Sequence, residues 1–303
     1  EKYKVPTVVT DTVIDDIMAF RDLGPLHNPP QAIAMRACQE VFGKETPMVA
    51  VFDTSFHQTM PAKAYMFGIP YEYYEKYSIR RYGFHGTSHR YIAHRFGELK
   101  GSLEGKKIIN CHLGNGSSLA AIQDGKVVDT SMGFTPLDGF LMGTRCGGID
   151  PSVVTFIMKK ENLSPDEMSD LMNKKSGFLG VSGVSSDCRD LNAAAEQGNE
   201  RAQLALDMFV YQIKKFIGGY AAAMGGVDAV IFTGGIGEND AEMRAKICSD
   251  MEYLGLKVDA EACANASRKE ACFQAADSKV EAWVLPTNEE LMIARDTVEL
   301  TSK

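Results

Sequence analysis

The spacing of apolar and polar positions divides this chain into short runs without helical period and longer stretches repeating at three and four. Residues 108–112 form a buried-strand run that ends at Gly114, and 118–122 is a second, alternating run. Asp124-Gly125 then starts another hairpin. Further strands are expected at 48–52, 229–233 and 281–285, with 5–9 extended. Asp11 reads as the N-cap of a helix in which Val13, Ile14, Ile17, Met18 and Leu23 share a face, stopped by Gly24-Pro25. Pro29-Pro30 opens the next helix, 31–42. Thr87 or Ser88 caps a helix running to about residue 99, and 151–175 is helical, with Ser164-Pro165-Asp166-Glu167 as a capping box. The strongest helix spans 200–224, where Ala202, Ala205, Met208, Phe209, Ile213, Phe216, Ile217 and Tyr220 trace a core face. Helices are also expected at 241–253 and 290–300, whereas 54–81 reads as irregular and the glycine-serine stretch of 174–177 and 180–183 as a loop ending in 185–190. Strands alternating with helices make this an α/β chain.

Between the strands at 108–112 and 118–122 lies Leu113-Gly114-Asn115-Gly116-Ser117-Ser118. Two glycines and an asparagine permit positive φ, so consecutive N–H groups can converge on an anion beside two hydroxyls. A P-loop would end in Gly-Lys-Ser/Thr and enter a helix, whereas this turn enters a strand. It suits a phosphate-binding hairpin, or else an ordinary Gly-Asn turn. A second glycine turn, Gly234-Gly235-Ile236-Gly237-Glu238-Asn239, joins a strand to a helix, where a nucleotide can meet the helix N-terminus. Its spacing is not that of a dinucleotide fingerprint.

Asp53 stands just after the strand at 48–52, where open α/β sheets place ligand chemistry, or where it simply caps a turn. His85 lies just ahead of a helix N-terminus; His89 and His94 read as surface or packing residues. Arg145 is the one cation in the glycine-rich loop 131–151, a guanidinium offered to a carboxylate or phosphate under a functional cover. Asp187 and Arg189 either contact a nucleoside or cap the next helix. Glu289 is a second carboxylate at a strand-to-helix junction, so Asp53 and Glu289 are candidates to hold Mg²⁺.

Composition narrows these options. A hydrophobic fraction of 45% and a charged fraction of 24% belong to a globular protein with ample core. The net charge of -8 argues against nucleic-acid partners, so an anionic ligand needs local donors. Seven cysteines without metal spacing point to reduced thiols and a cytoplasmic setting. No apolar run is long enough to span a membrane, and no signal peptide is evident.

The stretches VFDTSFHQTMP, RRYGFHGTSHRY, NCHLGNGSS, MGFTPLDGFLMGTRCGGIDP, FTGGIGEN and PTNEEL resemble the acetate kinase family, end to end of the chain. The resemblance implies a two-domain actin-like (ribonuclease H-like) ATPase fold with mixed sheets. It implies reversible, direct in-line phosphoryl transfer between ATP and acetate, giving ADP and acetyl phosphate. Mg²⁺ is the implied metal, with Mn²⁺ an alternative, and a homodimer the implied assembly. By motif, Asp53, His85 and Arg145 are catalytic and Glu289 is the metal-site acid. His112, Leu113, Gly114, Asn115 and Gly116 meet the phosphates. Asp187, Cys188, Arg189, Gly235, Ile236, Gly237, Glu238 and Asn239 hold the nucleoside end. Leu26, Phe84 and Pro136 line the acetate methyl pocket. Residues 1–54 with 290–303 fall to an amino-terminal domain, and 55–289 to a carboxy-terminal nucleotide-binding domain.

The family's opening strand with its phosphate turn, and its H-R-x-V-H-G-G arginine, have no counterpart in this sequence, so the first domain is expected to be incomplete and these residues alone weakly active or inactive. Propionate or butyrate kinase is the neighbouring alternative, since one methylene shifts discrimination by only about 1–3 kcal/mol. A catalytically dead nucleotide-binding protein is the other.

Overall fold

The computed structural model describes residues 2–21, 24 and 27–302. Eight strands form two sheets. Strands β1 (Thr7–Val8) and β2 (Val49–Ala50) pair antiparallel as a separate two-stranded ribbon. The remaining six are β3 (Lys107–Leu113), β4 (Ser117–Gln123), β5 (Lys126–Thr130), β6 (Ala229–Thr233), β7 (Ala271–Cys272) and β8 (Glu281–Val284). They lie in the order β5-β4-β3-β6-β8-β7. β3 runs parallel to β6 and β6 to β8, while the outer pairings are antiparallel, so the sheet is mixed.

Side-chain alternation assigns each strand residue to one of two layers. Ile109, Cys111 and Leu113 of β3, Leu119 and Ala121 of β4, and Val230 and Phe232 of β6 face the large core, which includes Phe209, Ile213 and Ile217 of the helix Glu200–Met224. Ile108, Ala120, Ile122 and Ile231 face the other way, onto Ile92, Ala93 and Phe96 of the helix Gly86–Lys100. Toward the end of β3 nearest the Gly114 turn, this second layer turns polar, with Asn110 and then His112, beside Ser118 of β4. A third, smaller core of Val13, Ile14, Ile17 and Ala32 joins the helices Asp11–Ala19 and Asn28–Phe42.

Several expectations change. The strand expected at 48–52 shrinks to Val49–Ala50 in the small ribbon, so Asp53 does not follow a central strand. Thr10, not Asp11, caps the first helix, its hydroxyl accepting from Val13 N–H at 3.3 Å; Leu23 lies outside the described residues. The helix expected from Thr87 or Ser88 starts at Gly86, with His85 as N-cap. Segments 62–65, 72–77 and 177–182, read as irregular, are short helices. The second glycine turn is itself helical, Gly234–Asn239, and Asp240 caps the following helix Ala241–Cys248, which ends five residues early. In the loop 131–150, read as a cover, Met132, Phe140, Leu141 and Met142 are buried.

Candidate active site

The site gathers where the polar end of the second layer meets the helix Gly86–Lys100. This helix has no side-chain cap of its own. Asp53 supplies one from a distance: its carboxylate accepts from His85 N–H at 2.7 Å and its carbonyl from Gly86 N–H at 2.9 Å. The approach is so close that a Cβ on Gly86 would lie 2.2 Å from the Asp53 carbonyl oxygen. His85 is held at φ 58°, a left-handed conformation that costs a non-glycine residue about 1 kcal/mol or more and is found at functional sites.

Asp53 opens onto solvent on one side and is enclosed by protein on the other. That enclosure raises its carboxyl pKa, against the pull of the N–H groups of His85, Gly86 and Thr87. Glu289, first residue of the helix Glu289–Thr301, is also raised, by burial and then by the charge of Asp53. Two mutually repelling carboxylates form a hard-oxygen donor set that suits a divalent cation completing its shell with phosphate oxygens and water. No group of three or more ligating side chains gathers among the described residues.

The imidazoles of His85 and His112 stack with centroids 4.2 Å apart. Burial, then the nearby Arg145 charge, lowers His85 to about 4; burial, then His85, lowers His112 to about 3 despite the opposing pull of Asp53. Both rings are therefore neutral at pH 7. His112 Nδ1 meets Ser88 Oγ at 2.8 Å, which in turn meets Thr287 Oγ1 at 2.8 Å.

Arg145 is half-buried, and burial lowers its pKa. Among the described residues its Nη1 reaches the Pro136 carbonyl at 3.3 Å and the Met142 sulfur at 3.8 Å, with no carboxylate partner. The key relation is between Arg145 and His85. A methyl placed on Gly116 would lie 3.3 Å from Arg145 Nη1 and 3.5 Å from His85 Nε2. A cation and an imidazole thus border one small gap, kept open because residue 116 has no side chain.

The first glycine turn reaches this arrangement differently from expectation. None of Gly114, Asn115 and Gly116 adopts positive φ. Ser117 Oγ turns back to Gly114, accepting from its N–H at 3.0 Å and donating to its carbonyl at 2.9 Å, while Ser118 is fully buried. The two hydroxyls are therefore spent internally rather than offered to an anion.

Beside the turn lies a cavity of about 790 Å³. It brings together Gly114, Asn115, Asp187, Cys188, Arg189, Gly235, Ile236 and Asn239, eight of the residues singled out from sequence. Asp187 also caps the helix Cys188–Glu196, accepting from Arg189 N–H at 2.9 Å, the capping alternative read from the sequence. Leu113 is not brought there, being wholly buried in the large core. Gly237 packs against Phe232, and Glu238 points inward, accepting from Gly234 N–H at 2.9 Å and Thr287 N–H at 3.1 Å. Ser186, Asp240, Ala241 and Arg268 complete the lining and were not foreseen; Arg268 arrives from a distant segment and holds Asn239 Oδ1 at 2.5 Å.

Phe84 and Pro136 line a second, largely apolar cavity of about 190 Å³ with Phe52, Tyr82 and Phe134. Leu26 lies outside the described residues. His27, unremarked in the sequence, lines both this cavity and the adjoining one that holds Arg145.

A mixed α/β sheet with two glycine turns on one cavity, paired carboxylates, and a guanidinium facing an imidazole defines a nucleotide-dependent phosphotransferase. The chain belongs to the acetokinase family, whose model matches residues 1–295. It is 56% identical over 302 residues to the acetate kinase of Treponema denticola, covering 99% of this chain and 75% of that protein. The structure superposes on that of Porphyromonas gingivalis acetate kinase with a TM-score of 0.94 at 47% identity, covering 99% of this chain and 75% of the other. A propionate kinase from Francisella tularensis gives 0.92 at 41%, covering 97% and 75%. The α/β, actin-like fold expected from the resemblance therefore holds. No described helix is long and apolar enough to cross a membrane.

Proposed function

We propose that this chain carries acetate kinase chemistry, ATP + acetate ⇌ ADP + acetyl phosphate, by direct in-line transfer. The observation that carries the reading is the gap at Gly116, bordered by Arg145 Nη1 and His85 Nε2. A phosphoryl group there has a cation on one side and a ring N–H on the other as negative charge spreads over its equatorial oxygens. Acetate is already an anion at neutral pH, so no base is needed; positioning and charge neutralisation are the task. Gly114 and Asn115 of the first turn hold the phosphate end, and Gly235, Ile236 and Asn239 with Asp187, Cys188 and Arg189 the nucleoside end. Phe84 and Pro136, with His27 nearby, enclose the acyl methyl. Mg²⁺, or Mn²⁺, held by Glu289 and Asp53 directly or through water, would supply charge neutralisation on the phosphate oxygens when bound.

The small core around Val13 and Ile14 supports a division into an amino-terminal unit, residues 1–54 with 290–303, and a nucleotide-binding unit, 55–289. The amino-terminal unit leaves Ile33, Val41 and Phe42 well exposed, so we expect slow turnover from these 303 residues alone. Exposed Phe156 and Tyr211 on the nucleotide-binding unit are compatible with a homodimer, which the solution mass tests. Cytoplasmic residence accords with seven free cysteines.

The test is acyl-hydroxamate formation from ATP with acetate, propionate or butyrate. Acetyl hydroxamate above background, dependent on Mg²⁺, is expected. Nucleotide binding with no acyl phosphate from any of the three acids would leave a nucleotide-binding protein without kinase activity.

A further inference from the structure

Beneath His85 runs a line of buried polar groups that the reaction as described does not use. Asn110 Nδ2 lies 2.8 Å from His89 Nδ1, His89 Nε2 lies 2.8 Å from Ser118 Oγ, and Ser118 Oγ lies 2.9 Å from His85 Nδ1. Asn110, His89 and Ser118 are each 0% exposed, on the side of the sheet that also carries Ile108, Ala120, Ile122 and Ile231. Packing alone gives no reason for three polar side chains there, and their desolvation must be matched bond by bond.

We propose that Asn110, His89 and Ser118 are positioning residues that fix the tautomer of His85, placing its single N–H on Nε2, toward the gap at Gly116. The proposal deepens the kinase reading, on which it rests for the role of His85 Nε2. An amide nitrogen only donates, so His89 Nδ1 is the acceptor and the His89 proton sits on Nε2. That N–H donates to Ser118 Oγ. The hydroxyl has one proton of its own and gives it to His85 Nδ1. A neutral ring that accepts at Nδ1 carries its hydrogen at Nε2, as a donor toward a phosphoryl oxygen. Reversing the Asn110 amide would reverse every link and leave a lone pair facing the gap. It would also leave both N–H groups of a fully buried amide without acceptors. In the observed orientation one N–H is used, and the other is left with Oδ1 unpartnered; one orphaned N–H and an under-satisfied carbonyl are more readily tolerated than two orphaned N–H groups. Ser118 is well fixed for this task, lying directly across from His112 in the β3–β4 register.

The test uses histidine-selective ¹⁵N labelling of the chain and correlation of each ring nitrogen with its carbon-bound protons. In the unsubstituted protein, His85 and His89 are both expected to show protonated Nε2 and lone-pair Nδ1. Ser118→Ala should mix the His85 tautomers and lower kcat roughly tenfold, less than outright loss of a transition-state donor, with KM within about twofold. Ser118→Thr, which keeps the hydroxyl, should restore both. A His85 proton on Nδ1 in the unsubstituted protein overturns the proposal, as does Ser118→Ala with unaltered tautomer or unaltered kcat. Should Ser118→Ala not fold, the unsubstituted spectrum decides alone. Because that spectrum needs no turnover, a wrong tautomer is distinguishable from failure of the phosphotransfer reading.

Discussion

At the scale of single residues, the site turns on a side chain that is absent. Gly116 does not need glycine for its backbone, since its φ is not positive. An alanine there should therefore fold, because the atoms it meets are the far ends of Arg145 and His85, at 3.3 and 3.5 Å. Its methyl would nonetheless stand where the phosphoryl group must pass. We expect Gly116→Ala to shift Tm by no more than about 2 °C while reducing acyl phosphate formation at least tenfold or so. Parallel thermal melts and hydroxamate assays check this; full activity in the variant would mean that phosphate travels elsewhere. Arg145 and Asp53 stood out in the sequence because their types are unusual where they stand: a lone cation in a glycine-rich loop, and an acid after an apolar run, although that run proves to hold only the two-residue strand Val49–Ala50. His89 was not legible. Helical spacing says which residues share a helix face, but the partners of His89, Asn110 and Ser118, lie on two other elements.

At the scale of elements, the helix Gly86–Lys100 owes its start to Asp53, more than thirty residues upstream. Asparagine at 53 still offers an oxygen to His85 N–H but removes the charge; alanine removes both. Asp53→Asn is expected to melt within about 2 °C of the parent yet lose roughly a hundredfold in turnover. Asp53→Ala should lose similar activity and also about 1 kcal/mol of stability, as expected for a missing cap. Unfolding curves for the pair separate the two roles, and an active Asp53→Asn protein would reduce Asp53 to a cap. The same helix shows why boundaries escaped the sequence: Thr87 and Ser88 are good local caps, but a tertiary acceptor displaced them. The helix Glu200–Met224 and the strands β3, β4, β6 and β8 of the large sheet were readable, whereas the two-residue β7 was not. Segments of one or two turns, such as Glu72–Tyr77 and Gly177–Ser182, contain too few residues to display a period.

At the scale of the molecule, stability and site share one buried histidine cluster. His57 is fully buried, edge-on to His89 at 5.7 Å, and neither ring nitrogen has a partner among the described residues. Burial lowers its pKa to about 3. Between the ordinary histidine value near 6.5 and that value, the unfolded chain binds a proton that the folded chain does not. Stability is therefore intact above about pH 6.5 and falls as pH drops toward 3, at up to about 1.4 kcal/mol per pH unit for this residue. His57→Leu should hold or raise Tm at pH 7.5 and flatten its decline below pH 6; an identical pH profile would show that His57 is solvated. The mixed sheet and its two glycine turns were visible as separate signals along the chain. Their meeting on one cavity, as a shared cleft would require, comes from β3 lying parallel beside β6; Arg268, which joins them there from a distant segment, no local pattern reveals.

The most direct measurement is a crystal structure of the protein with Mg²⁺, ADP, acetate and a planar phosphoryl mimic such as aluminium fluoride. The mimic is expected in the gap at Gly116, within hydrogen-bond distance of both Arg145 Nη1 and His85 Nε2, with the acetate methyl toward Phe84 and Pro136. A mimic lodged away from those two groups, with Arg145 turned to solvent, would contradict it.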